Sequence, residues 1–270
     1  SGLPLSLRFL ADPEPLLRWA AVRNLEEAPR RAPLEAVLKA LDDPVRLVRI
    51  EAARVFSALP AARQHPSFAR AAAEFEESQR ALSDQWGAHH NLGVFYENLG
   101  RLDEAQACYE TSLRLEPKAG PPRINLAMLH YRRGLRSEAE RQLRRAAEET
   151  PDLPEAPYFL GLLLAEDERR LGEALGFLER ACRHAPSWAR ARYNFGLALQ
   201  KLGRLTEAET ELREACRLDP SSRDAWYALY ILLLQTNRHA EADAAARALR
   251  RLSTGPPGDP GADPGRPAPQ

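Results

Sequence analysis

Three cysteines, six histidines and a few adjacent acid pairs are the residues of this 270-residue chain whose types could do chemistry. Cys108, Cys182 and Cys216 form neither a Cys-x-x-Cys pair nor the Cys-x-x-Cys-His pattern of haem attachment, and Cys182-Arg-His184 is only a fragment of the latter. Cys182 and Cys216 fall at equivalent places of successive repeats, farther apart than disulfide geometry allows. All three therefore read as small buried apolar residues, and they define no redox compartment. His89 and His90 are adjacent, so a helix points them about 100° apart and one metal cannot readily take both. His65, His130, His184 and His239 show no ligand spacing. There is no glycine-rich phosphate loop and no nucleophile elbow, and Glu76-Glu77 and Glu148-Glu149 read as solvated helix surface. The chain is expected to have no catalytic residue, no metal site and no cofactor.

What the chain does have is a period. Gly93, Ala127, Gly161, Gly196 and Tyr230 are separated by 34, 34, 35 and 34 residues, and Ala105, Ala139, Ala174, Ala208 and Ala242 repeat those intervals with the extra residue shifted. Closing prolines stand at Pro117, Pro151, Pro186 and Pro220, and the single insertion falls in the turn from Glu168 to Gly172. Each unit reads as two helices. His89 to Leu99 carries Leu92, Val94, Phe95, Tyr96 and Leu99 at largely helical spacing and stops at Gly100, a residue free to turn left-handed past a helix end. Leu102 to Glu116 carries Ala105, Tyr109, Ser112, Leu113 and Leu115 and ends before Pro117, which cannot continue a helix. Such a hairpin cannot bury its apolar faces alone, so neighbours must stack.

The run NLGVFYENLGRLDEAQACYETSLRLEP resembles the tetratricopeptide repeat. Five units are expected over residues 86–252, at 86–119, 120–153, 154–188, 189–222 and 223 to about 252, preceded by a connecting and capping helix within 66–85. The last unit departs from the pattern, with Tyr230 for the small residue and Asn237 for the turn glycine. Residues 1–65 carry a different repeat: DPEPLLRWAAVRNLEEAP at Asp12 aligns with DPVRLVRIEAARVFSALP at Asp43 at an offset of 31. Asp followed by Pro reads as a helix start, an N-cap acceptor before a residue preset for the first turn. These two units resemble HEAT repeats. The resulting expectation is an all-α fold, an α-solenoid of helical hairpins with HEAT-like repeats leading into a tetratricopeptide superhelix, and a changed twist near Pro60 to Pro66. The order of the two repeat types is also similar to the non-haem, C-terminal part of bacterial multihaem c-type cytochromes that carry both; here the haem attachment motifs are missing.

Composition agrees with a helical repeat protein, at 44% hydrophobic and 28% charged residues. Equal numbers of basic and acidic side chains, 38 each, argue against a nucleic-acid partner, because phosphate affinity needs clustered uncompensated Lys and Arg. Arginine runs such as Arg141 to Arg145 are expected on solvated helix faces, paired with Glu. The longest apolar runs are under half a membrane span, so no transmembrane segment is expected. Ser1-Gly2 without an initiator methionine suggests a fragment or a mature form. Residues 253–270 hold six Pro and four Gly, as expected of a disordered tail or linker.

The repeat reading points to a non-catalytic scaffold or adaptor for a protein partner. The cytochrome resemblance implies a periplasmic docking or assembly subunit of an electron-transfer complex; without it the compartment would be cytoplasmic. The alternative is a regulatory or substrate-recruiting arm of a larger enzyme. In the tetratricopeptide family the first helices line a concave groove. The resemblance carries that role to a row formed by His90, Ile124, Tyr158, Tyr193 and Tyr227, and to a second row one turn on, Val94, Met128, Leu162, Leu197 and Ile231. The family's backbone-binding asparagine recurs as Asn91, Asn125 and Asn194, with Arg132, Arg190 and Lys201 nearby. His90 and Val94 replace the Lys and Asn of carboxylate-clamp members. A partner segment or helix in this groove is one reading; packing of the same apolar places between helices, or against the chain's own tail, is the other.

Overall fold

The computed structural model describes residues 3–26 and 33–254, which form sixteen α-helices and a 3-10 turn, with no strand among them. The proline- and glycine-rich tail expected from residue 253 lies outside the described residues apart from Ser253 and Thr254, which close the last helix. By its contacts the chain divides inside one helix, between Leu129 and His130. This boundary matches neither repeat family, and the two units are described in turn.

The first unit contains α1 (Leu3–Phe9), α2 (Pro15–Asn24), α3 (Leu34–Leu41), α4 (Arg46–Phe56), α5 (Pro60–Arg63), α6 (Phe68–Arg80), α7 (Trp86–Asn98), α8 (Leu102–Leu115) and most of α9 (Gly120–Arg132). One core runs through both repeat types, from Val22 and Leu41 by way of Phe56, Ala71 and Phe75 to Phe95, Tyr109 and Leu126. On α6, Ala71 and Phe75 are both buried, and the Phe75 and Phe95 rings lie 4.7 Å apart. Asp12 and Asp43 are not the helix N-caps that their sequence suggests. Each carboxylate instead accepts the amide two residues on, Glu14 or Val45 at 2.9 Å, and the helix starts one residue after that amide. An aspartate before Pro closes this local ring more easily than it reaches across the proline to a helical N–H.

The 31-residue repeat also carries a side-chain ladder. Arg18 donates to the carbonyls of Asp12 and Pro13 and forks onto the Asp43 carboxylate, at 2.6 and 2.9 Å. One repeat later Arg49 donates to the carbonyls of Asp43 and Pro44 and forks onto Glu74, at 2.9 and 2.7 Å. Paired guanidinium N–H groups fit a carboxylate edge to edge, so each rung fixes the register of one helix against the next. The Arg49 fork holds the Glu74 carboxyl below its usual range despite some burial.

The second unit contains α10 (Arg136–Glu149), α11 (Glu155–Leu164), a 3-10 turn at Glu168–Arg170, α12 (Leu171–His184), α13 (Ala189–Lys201), α14 (Leu205–Leu218), α15 (Arg223–Gln235) and α16 (His239–Thr254). Helices α11 and α12, α13 and α14, and α15 and α16 pair as hairpins, and each second helix packs on the next first helix. The one-residue insertion is absorbed by the 3-10 turn, which leaves Gly172 inside α12 and not in the turn.

Local chemistry sets both helix ends of a repeat. Gly100, Gly134 and Gly203 have φ of 78°, 77° and 74°, and Asn237 takes their place at 58°. In each case the following amide bonds five residues back, as Arg101 does to Tyr96 at 2.8 Å and Arg238 to Leu233 at 2.9 Å, which satisfies a terminal carbonyl. At the other end Glu116, Thr150, Ala185 and Asp219 all leave the helical region, with φ between −127° and −134°. Each precedes a closing proline, whose ring excludes the helical conformation from its neighbour.

Inside the hairpins the small residues do what their spacing implied. A Cβ on Gly93 would lie 2.4 Å from the Tyr109 ring, on Gly161 2.7 Å from Leu178, and on Gly196 2.9 Å from Leu212 and 3.3 Å from the Ala208 carbonyl. Ala105, Ala139, Ala174 and Ala208 are fully buried. Enlarging Ala208 to Leu is therefore expected to cost roughly 1 to 3 kcal/mol in denaturant melts. Gly176→Ala, on an open stretch of α12, should instead gain about 0.5 to 1 kcal/mol of helix stability. A shared sign for the two changes would refute the packing assignment.

Arg49→Met strands Glu74 beside a largely buried site and should cost roughly 3 kcal/mol, whereas Arg49→Met with Glu74→Leu should cost less than the single change. In the second unit Glu140 lies between Arg170 and Arg144, which hold its carboxyl down to about 2. Because its folded value is depressed, its stabilising contribution is complete above about 4.5 and is lost as pH falls toward 2. Thermal melts across that window should slope less steeply for Glu140→Gln than for the parent chain.

Candidate functional site

The face of interest is carried by the first helices of the tetratricopeptide hairpins, three of which, α7, α11 and α13, are held from behind by the glycine contacts above. In the first unit it comprises His90, Asn91 and Val94 on α7 and Ile124, Asn125 and Met128 on α9. Ile124 is only 5% exposed, Val94 and Met128 are half-buried, and Asn91 is exposed. The His90 ring lies 6.4 Å from Trp86 and 6.0 Å from Tyr109, and its Nε2 is 3.0 Å from the Asn125 amide nitrogen. Asn91 donates to Gln79 at 3.2 Å.

In the second unit the face comprises Tyr158 and Leu162 on α11, Arg190, Tyr193, Asn194, Leu197 and Lys201 on α13, and Tyr227 and Ile231 on α15. Tyr158 is fully buried. Its ring packs 4.4 Å from Trp188 and 5.2 Å from Phe159, and its hydroxyl accepts the Asn194 amide at 2.8 Å. Burial pushes the Tyr158 hydroxyl above its ordinary pKa, so it stays protonated. Leu162, Tyr193 and Leu197 are half-buried, and Arg190 and Lys201 are exposed. Tyr227 and Ile231, one turn apart, are 59% and 37% exposed.

The expected rows are thus corrected in two ways. Ile124 and Tyr158 support the face from within and cannot meet a partner in this conformation. The asparagines are not idle amides waiting for a peptide backbone: Asn125 and Asn194 each bond the residue that fills the fifth place of the preceding unit, and Asn91 bonds the helix before its own. A buried tyrosine hydroxyl needs such a partner. The spacing of 35 or 36 residues between partners was available in the sequence, but only knowledge of the neighbour's pitch turns it into a contact. What remains accessible is an apolar strip of Leu162, Tyr193, Leu197, Tyr227 and Ile231 with Arg190 and Lys201 beside it in the second unit, and Val94 and Met128 in the first. Arg132, at the end of α9, is exposed.

Burial pushes the Cys108 thiol up to about 11 and those of Cys182 and Cys216 to about 12, far from the reactive thiolate. His89 Nε2 lies 2.9 Å from the Ser83 carbonyl. No His, Cys, Asp and Glu group of three converges among the described residues, and no described helix is long and apolar enough to cross a membrane.

Comparison with known proteins bears on the fold and the family. No protein of curated function matches the chain in sequence. A solved structure described as YrrB, a TPR protein with an unusual peptide-binding site, superposes with a TM-score of 0.54 at 20% identity, covering 66% of this chain and 92% of its own. MamA from Desulfovibrio magneticus RS-1, residues 41 to the end, gives 0.55 at 21%, covering 62% and 94%. A MamA RS-1 double mutant gives 0.56 at 21% over the same shares. Tetratricopeptide-repeat family models match residues 86–119, 124–188 and 193–258, more than half of the sequence and in phase with the hairpins. With its turn glycines, closing prolines and buried small residues in the same register, the chain belongs to the tetratricopeptide-repeat family.

Proposed function

We propose that this protein is a non-catalytic interaction scaffold that takes a segment of a partner protein on the first-helix face of its tetratricopeptide hairpins. The observation that carries this reading is the exposure of Tyr227 and Ile231 beside half-buried Tyr193 and Leu197. Large apolar side chains left open on successive helices match the anchors of an apolar segment, and tyrosine adds a hydrogen-bonding tip to its contact area. Support also comes from the similar fold of a TPR protein described by its peptide-binding site. Proteins built of these repeats are generally scaffolds, not catalysts. The occupant on this reading is a protein segment and not nucleic acid, consistent with the neutral charge of the chain.

Residues 1–65 serve, on this reading, as HEAT-like repeats that extend the scaffold. The recurrence of the same aspartate turn and arginine fork at 31 residues supports it. A periplasmic docking role in an electron-transfer complex rests on the sequence resemblance alone.

The test replaces Tyr227 with the photo-crosslinking residue benzoylphenylalanine and compares it with the same residue at exposed Asp243 on α16. Crosslinking to a partner from the source cell is expected at 227 and not at 243. Tyr193→Ala with Tyr227→Ala should weaken capture of that partner by roughly 2 kcal/mol or more while the helical circular dichroism spectrum at the assay temperature is retained. Identical crosslinks at both positions, or undiminished capture by the double variant, would overturn the reading.

A further inference from the structure

Charged side chains knit the second helices of adjacent repeats together, and in the second unit they do so in a repeated four-residue pattern. Across α10 and α12, Arg170 forks onto Glu140 at 2.8 and 2.7 Å while Arg144 reaches Glu173. Across α14 and α16 the equivalent residues pair likewise: Arg238 Nη1 donates to both carboxylate oxygens of Glu209, and Arg213 donates to Glu241 at 2.6 Å. In both cases one helix offers Glu and Arg four residues apart, and the other answers with Arg and Glu three residues apart.

The interface between them, α12 against α14, has only half of this pattern. Arg204 and Glu207 stand where Arg170 and Glu173 stand one repeat earlier, but the facing places hold Leu175 and Glu179 in place of Glu140 and Arg144. Arg204 hydrogen-bonds Glu207, at 2.7 and 2.6 Å, and across the interface it is near enough to feel the Glu179 carboxylate without bonding it. Here a cleft of about 750 Å³ opens, floored by Leu175, Cys182 and Phe195. On its α12 wall, nothing lies within 4 Å of a Cβ built on Gly172 or Gly176. Glycine inside a helix sacrifices stability, and at Gly93, Gly161 and Gly196 a neighbouring helix explains it; at Gly172 and Gly176 nothing in this fold does. Glu179 and Arg183, on the rim, form no ion pair or hydrogen bond among the described residues.

We propose that the α12–α14 cleft is a second docking site, for a helix of a partner protein that presents Glu and Arg four residues apart on the face it lays against Gly172 and Gly176. The occupant's chemistry is read from the molecule itself: Glu140 with Arg144, and Glu209 with Arg213, are what the Arg and Glu of this pattern bind at the other two interfaces. The incoming carboxylate meets the open edge of Arg204 and the incoming guanidinium meets Glu207 and Glu179. The absent side chains at the two glycines let the helix approach closely enough for both contacts. The charged walls of this site lie on the second helices, and it shares no residue with the first-helix face proposed above.

The probe is a stapled, fluorescein-labelled alanine helix carrying one Glu-x-x-x-Arg, titrated against the full chain by anisotropy. Its control carries Arg-x-x-x-Glu. The matched helix is expected to bind at least tenfold more tightly than the control. Gly172→Leu with Gly176→Leu should abolish that binding without lowering the circular dichroism melt, because both positions are open and leucine is the better helix former. Exchanging the charges, Arg204→Glu with Glu207→Arg, should reverse the preference between the two helices. Tyr193→Ala with Tyr227→Ala should leave it untouched, which separates failure here from failure of the first-helix reading. Equal affinity for the two helices, no binding at millimolar peptide, or binding that survives filling of the cleft would each overturn the proposal.

Discussion

The close approach of two helices at a residue without a side chain is the contact on which the tetratricopeptide part of this structure depends. Where Gly93, Gly161 and Gly196 meet Tyr109, Leu178 and Leu212, the partner's large side chain occupies the volume a Cβ would need. That pairing sets the distance between the helices of a hairpin. It thereby brings the buried alanines of the second helix against the first and leaves a definite strip of the first helix for the next repeat. The last hairpin lacks this device. Tyr230 stands at the glycine place and is half-buried, and α15 is also where Tyr227 and Ile231 are most open. An end repeat with no following hairpin among the described residues keeps apolar surface that an internal repeat would cover.

Much of this was legible in the sequence because it is local or strictly periodic. Gly100 and Asn237 announce left-handed turns, Pro117 and its equivalents announce helix ends, and the 34-residue interval converts each local signal into a repeated one. The failures were of another kind. Asp43 looked like an N-cap, since the residue types at a helix start are the same whether the aspartate bonds two residues on or caps the helix itself. Tyr158 looked like a surface contact because its row contains Tyr227. Burial of a row member depends on whether the next repeat brings an asparagine and a tryptophan to it, as Asn194 and Trp188 do, and periodicity within one repeat carries no such information.

The arginines were read correctly as paired with glutamate but too modestly. Isolated exposed pairs such as Lys39 with Glu35 contribute little. Forked contacts between repeats are different in kind, because a guanidinium joined edge to edge with a carboxylate tolerates little sliding. Arg18 with Asp43, Arg49 with Glu74 and Arg170 with Glu140 all cross from one repeat to another. Apolar stacking alone fixes how closely repeats approach; these forks add which residue faces which.

This division of labour gives the balanced charge of the chain a physical meaning. With 38 basic and 38 acidic side chains, most arginines are spent on contacts inside the protein, so a charge left without such a contact is informative in a way that it would not be on an ordinary solvated surface. The first-helix face carries few such contacts and offers apolar area, whereas the second helices of the second unit carry the ion pairs that cross between repeats. Any partner of the first face is selected by shape and apolar fit. Selection on the second face requires matching a pattern of sign and spacing, and only a break in that pattern leaves anything to match.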